Sequence, residues 1–182
     1  DGTGEFTISE GEREGRGTTI RMTLRKGEDE FLDDMRLRHI IKTYSDHIAL
    51  PIVLEGAEGE AETVNAASAL WTRQKKDITD EQYNEFFTHL TNDSEEPLAR
   101  EHVVVDVPIQ FYSILYIPKQ APLQWLFSQE PKVSLNLHVR RVFIQDDCKE
   151  LLPLYMRFVR GVVDCDDLPL NVSRENLQHN PV

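Results

Sequence analysis

The amino-acid sequence predicts an α/β or α+β fold, a layered sandwich built on one mixed sheet. Three observations carry this. Segments with helical periodicity alternate with short apolar runs of strand character. Gly27, Pro51, Pro118, Pro122, Pro131 and Gly161 punctuate the connections between them. The 182 residues, 40% hydrophobic and 29% charged, suffice for one sizeable core.

Taken in order, Phe6 and Ile8 alternate with polar residues, Gly11, Gly15 and Gly17 mark a turn, and Thr18 to Leu24 alternates at period two. This predicts a hairpin over residues 6–24. Two strands alone are marginal in water, so the hairpin is expected either to join the following domain or to pair with strands outside this chain. Glu28-Asp29-Glu30 opens a helix with Arg36, Arg38, His39 and Lys42 in its later turns, the acid-to-base order that suits the helix dipole. Its apolar residues do not make one stripe, which predicts contacts on more than one side. Residues 48–54 read as a buried strand broken by Pro51, and residues 55–69 as a mobile loop or hairpin tip.

Thr79 with Gln82 is a capping box, and Ile78 can staple onto Tyr83. Tyr83, Phe86, Phe87 and Leu90 share one face, which predicts an amphipathic helix over 80–90 docked on the core. A polar loop over 92–100 precedes strands over 103–107, 110–117 and 133–144, the last in one or two pieces. Pro153 suits the first turn of a helix running to Arg160 and closed by Gly161. Val162-Val163 reads as a short strand and 164–171 as a loop. Ser173 caps a last helix that stops within a few residues, and the chain opens without Met. It is therefore expected to belong to a longer protein.

A net charge of -12 repels phosphate backbones and argues against nucleic acid as the main ligand. The longest apolar runs, about five residues, fall far short of the roughly 20 needed to span a membrane, and no signal-peptide pattern opens the chain. Cys148 and Cys165 are the only cysteines, with no CxxC, and the six histidines are dispersed. No metal site and no disulfide are expected, which points to a reducing compartment.

No phosphate loop of the GxxxxGK[ST] type and no GxGxxG is present. Asp46-His47 and Asp146-Asp147 read as chance neighbours. Between Lys132 and Arg160 six Lys/Arg face three acids, a local positive patch able to serve a small anion or simply solvated. Ser173 as N-cap places Arg174 at a first helical position, the wrong end for the dipole. Free N–H groups and a guanidinium can converge there on a phosphate. A plain surface arginine remains the other reading.

Many segments, in order, resemble the heat-shock-ninety chaperone family over nearly the whole chain. They are Arg16-Gly17-Thr18, Glu30-Phe31-Leu32, Tyr44 to Ile52, Leu70-Trp71-Thr72-Arg73, Leu115-Tyr116-Ile117-Pro118, Val139-Arg140-Arg141-Val142-Phe143-Ile144, Phe158 to Asp164, and Asp167 to Glu175 with Leu177-Gln178. The short junction near Lys26-Gly27 resembles bacterial members. The resemblance implies that residues 1–26 are the last strands of an ATP-binding domain. Residues 27–182 are then the first part of a middle domain, a three-layer α-β-α sandwich of the ribosomal-protein-S5-domain-2-like type ending in a catalytic loop.

The resemblance further implies an ATP-dependent chaperone, with ATP and Mg held mostly by residues outside this chain. Arg174 matches the arginine given to the γ-phosphate and Gln178 the loop glutamine. Arg140 matches an arginine near the nucleotide and domain interface, Phe143 an apolar contact beside it, and Thr18 a threonine that helps hold adenine. The implied partners are unfolded or partly folded client proteins, the chain's own N-terminal ATP-binding domain, and a second copy joined through a C-terminal domain. The implied setting is cytoplasmic. Ser94 stands where the family places an aromatic client contact. By itself the chain is expected neither to hydrolyse ATP nor to dimerise stably. The competing function is a client- or cochaperone-binding module in which Arg174 only caps a helix. The related transducer domains of topoisomerases and mismatch-repair ATPases, which touch DNA, fit the acidic charge poorly.

Overall fold

A computed structural model describes residues 8–56, 59–107, 109–120, 135–146, 148 and 151–168. Its first regular element is a 3-10 turn, Asp29–Leu32, and helix α1 (Asp34–Ser45) follows. The single predicted helix is split because the Asp33 carboxylate accepts the Arg36 N–H and starts a new helix there. Ahead of it, Thr18 to Leu24 forms no strand and is almost wholly exposed. The predicted hairpin is corrected on that side, since no strand among the described residues takes its backbone groups, and Phe6 lies outside the described residues.

The predicted strand over 48–54 shrinks to β1 (Val53–Glu55), which pairs antiparallel with β2 (Ala61–Thr63). Buried Asn65 explains the shortening. Its Oδ1 accepts the Ile52 N–H at 2.8 Å, and its Nδ2 donates to the carbonyls of Ser45, Ile48 and Leu50. The backbone that would have joined a ladder is satisfied by one side chain instead.

Helix α2 (Asp80–Thr91) has both bonds of the predicted capping box between Thr79 and Gln82. Asn92, in a left-handed conformation, ends it. Tyr83 and Phe87 are buried, and Phe86 and Leu90 pack half-buried against the same cluster. That cluster contains Ala69, Trp71, Ile78, Ile114, Tyr116 and Val162, with Trp71 and Tyr116 completely enclosed.

The main sheet contains β3 (Ala99–Val105), β4 (Phe111–Ile117), β5 (Leu135–Val139), β6 (Val142–Gln145) and β7 (Arg160–Cys165), in the order β3-β4-β7-β5-β6. Only β5 and β7 run parallel. The sheet is therefore mixed, and the fold is the expected α+β sandwich with a small antiparallel hairpin beside it. Both described helices lie over the face carrying Ile114, Tyr116 and Val162. Leu135 and Leu137, on the opposite face, are equally buried.

Two predicted boundaries move. The strand expected from Val103 begins at Ala99, and the helix expected over 153–160 is one 3-10 turn, Leu154–Met156. Gly161 closes no helix. It sits in β7 between Leu115 of β4 and Leu135 of β5. A Cβ there would stand 2.2 Å from the Ile114 carbonyl oxygen, so only glycine lets these strands approach. Cys148 and Cys165 are buried free thiols. Among the described residues no helix is long and apolar enough to cross a membrane.

Candidate functional site

Strands β5 and β6 are joined by Arg140 and Arg141, with φ of +52° and +66°. Two central residues at positive φ are the pattern of a type I′ hairpin turn, which ordinarily takes Asn-Gly or Gly-Gly. A side chain in the left-handed region costs roughly 1–2 kcal/mol per residue. Something must hold this turn, and the structure supplies it from β7. The Asp164 carboxylate, 1% exposed, accepts the Arg141 N–H at 3.1 and 3.2 Å and the Trp71 indole N–H at 2.8 Å. Hydrogen bonds to a charged acceptor contribute about 1.5–3 kcal/mol each, enough to offset strain of that size.

Burial pushes the Asp164 carboxyl above its ordinary pKa, while the Trp71 and Arg141 donors pull it back down. The network continues behind Trp71. The Trp71 carbonyl oxygen lies 2.9 Å from His102 Nε2, and the Tyr83 hydroxyl lies 2.7 Å from His102 Nδ1. A carbonyl can only accept, so Nε2 carries the proton in a neutral His102 and Nδ1 accepts from Tyr83. A chain of buried hydrogen bonds thus runs from α2 through His102, Trp71 and Asp164 to the arginine turn.

The end of β7 is tied to the same place. Arg140 Nε donates to the Asp166 carbonyl oxygen at 3.3 Å. On the other side the Gln110 N–H reaches the Asp167 carboxylate at 3.2 Å, and the Asp166 N–H the Gln110 carbonyl at 3.3 Å. A cleft of about 400 Å³ opens there, lined in part by Ile48, Leu50, Thr72, Tyr112 and the two arginines. Arg140 is exposed, and its partner named here is a neutral carbonyl rather than a carboxylate, so its charge can still meet an anion.

Phe143 lies on β6 of the same hairpin, half-buried, 6.0 Å from the Tyr44 ring and 5.6 Å from His138. It lines a second cleft, of about 660 Å³, between α1, α2 and the sheet. In that cleft wall His138 is 5% exposed, and its Nδ1 has no hydrogen-bond partner among the described residues. Burial first, and then nearby His47, lowers its pKa from 6.5 to about 3, so it is neutral at physiological pH.

Of the residues nominated from sequence, the structure brings Arg140 and Phe143 together on one hairpin. Thr18 lies exposed on the irregular segment, and none of the contacts described joins it to Arg140. Arg174 and Gln178 lie outside the described residues. Sequence reasoning missed Asp164 and its contact with Trp71. The available signal was an acid closing the apolar run Val162-Val163, in a segment read as a loop. The cluster can hold and orient charge. Among the described residues no group of three or more His, Cys, Asp or Glu is placed to bind a metal.

These features define a domain of mixed α+β architecture with a strained arginine turn beside the end of its central strand. Comparison with known proteins makes this specific: the model of the Hsp90 protein family matches residues 55–182, and the chain belongs to that family. It is similar to the chaperone protein HtpG of Paramagnetospirillum magneticum, 55% identical over 182 residues, which is 100% of this chain and 29% of that protein. The HtpG of Rhodospirillum rubrum is 53% identical over 181 residues, covering 100% of this chain and 29% of the relative. That of Escherichia coli K12 is 50% identical over 188 residues, covering 100% and 30%. The chain therefore spans about three-tenths of the length of these relatives.

Proposed function

We propose that this Hsp90-family chaperone fragment joins the end of an ATP-binding domain, residues 1–26, to the first part of a middle domain, residues 27–182. In this reading Arg174 acts in ATP hydrolysis. Its guanidinium meets the γ-phosphate, where charge builds on the phosphate oxygens in the transition state, and stabilises it. Gln178 accompanies it on the same loop, and Arg140 holds the nucleotide side of the interface with Phe143 packed behind. Thr18 contributes to the adenine side. ATP, with Mg, is held mostly by the rest of the parent protein, which also supplies the base and the dimer contact. The middle domain binds unfolded or partly folded clients, in the cytoplasm.

One observation supports this above the others. Arg140, in a turn held against its own backbone preference, is hydrogen-bonded to Asp166, three residues before the segment Pro169 to Glu175 that carries Arg174. Backbone strain of this kind concentrates at functional sites. The test is single-turnover ATP hydrolysis by the full-length protein, wild type against Arg174→Ala, with ATP binding measured in parallel. A fall of about tenfold or more, roughly 1.4 kcal/mol in barrier, with binding retained supports the reading. Unchanged hydrolysis overturns it and leaves a client- or cochaperone-binding module.

A further inference from the structure

We propose that Asp164 is a positioning residue for the nucleotide-facing arginine: its buried carboxylate locks the Arg140-Arg141 turn and thereby fixes where Arg140 stands beside the exit of β7. This rests on the functional reading given above and adds a residue to it. Three features of the geometry point the same way. The carboxylate is 1% exposed, and both of its oxygens lie within hydrogen-bond distance of the Arg141 N–H, at 3.1 and 3.2 Å. The residue it holds is at φ +66°, and its neighbour Arg140 is at +52°. Arg140 then reaches the Asp166 carbonyl, two residues beyond Asp164 and just past the end of β7.

The turn and the strand exit thus form one closed unit: Asp164 grips the turn, and the turn grips the chain two residues later, where it leaves β7. The Trp71 indole N–H on Oδ2, at 2.8 Å, fixes the carboxylate plane from the core side. Released from Asp164, the turn has no reason to keep two arginines in the left-handed region, and a relaxed turn swings the Arg140 guanidinium away from Asp166. Asp164 itself touches no nucleotide in this account. It acts through the backbone of Arg141.

The test uses the full-length protein and Asp164→Asn, which removes the charge and replaces one of the two oxygens that meet the Arg141 N–H by an NH2 group that can only donate. ATP hydrolysis is expected to fall about tenfold, with ATP affinity within about threefold of wild type. Adding Arg141→Gly is expected to restore hydrolysis to within about threefold of wild type, because glycine takes positive φ without help. A carboxylate that merely stabilised the core would not be rescued by a glycine in a surface turn.

Wild-type hydrolysis in Asp164→Asn overturns the proposal. So does a loss that Arg141→Gly leaves untouched. Arg174→Ala run alongside separates the two claims: if it hydrolyses normally while Asp164→Asn fails and is rescued, the catalytic reading of Arg174 falls and the role of Asp164 stands. Should Asp164→Asn fail to fold, amide exchange in the wild-type turn decides. Strong protection of the Arg141 N–H supports the clamp, and exchange at the rate of an open peptide overturns it.

Discussion

Helix α2 and the β5–β6 turn reach their conformations in opposite ways. In α2 every local choice agrees with the result. Thr79 and Gln82 cap it, its apolar residues share one face, and Tyr83 and Phe87 are buried where that face meets the sheet. In the turn the local choice disagrees with the result, since two arginines occupy positions that favour Asn and Gly. The disagreement is resolved from a distance, by an acid 23 residues away in sequence. The lesson is that the helix is written in its own residues and the turn in another strand, and that the exception falls where function is proposed.

The largest effect is expected in the helix. Phe87→Ala empties a fully packed position and should cost about 3–5 kcal/mol in urea unfolding. A cost under about 1 kcal/mol would show that α2 is not seated on the core as described. Trp71→Phe keeps an aromatic ring but removes one of the two donors to the buried Asp164 carboxylate, and should cost about 1–3 kcal/mol. If it costs nothing, the long-range support of the turn does not pass through Trp71. Thr79→Ala, which deletes only the cap, should cost about 1 kcal/mol. A cap loss larger than the Trp71 loss would reverse the contrast between the two regions.

The smallest effect at neutral pH belongs to His138, and it grows on acidification. Its folded pKa of about 3 lies below the ordinary 6.5, so the unfolded chain takes up the proton first. Its contribution is fully present above about pH 6.5 and is lost progressively as pH falls toward about 3. Asp164 works the other way, since its raised pKa makes the folded state hold a proton longer and favours folding on the acid side. His138→Leu should therefore flatten the acid limb of a stability-against-pH curve measured by thermal unfolding. An unchanged slope would mean that His138 is not the buried neutral group described here.

The sequence made α2 legible because its cap, staple and aromatic face lie within 13 residues of one another. The mixed sheet was legible from its apolar runs. The ends of elements were less so. Gly161 resembled a helix terminator because its real requirement, the closeness of the Ile114 carbonyl, involves a strand far away in sequence. Ala99 and Arg100 resembled a loop because an edge strand carries charged residues without penalty. Residues 18–24 resembled a strand because period two was present, while among the described residues no strand pairs with them. Arg140 and Phe143 were nominated through family resemblance, and both stand on the β5–β6 hairpin. Asp164 was hidden because burial of an acid is a property of its surroundings, and no local pattern announces it.

The most direct measurement is a double-mutant cycle in urea unfolding with Asp164→Asn and Arg141→Gly, alone and combined. Glycine changes the unfolded chain equally in both backgrounds, so that effect cancels in the cycle. If Asp164 holds the turn, the arginine turn relaxes once the clamp is weakened and the released strain returns part of the loss, so the Asn substitution costs more when residue 141 is glycine, with a coupling of about 1 kcal/mol. Additive costs would contradict the account, because they would mean that the buried carboxylate and the left-handed turn do not depend on each other.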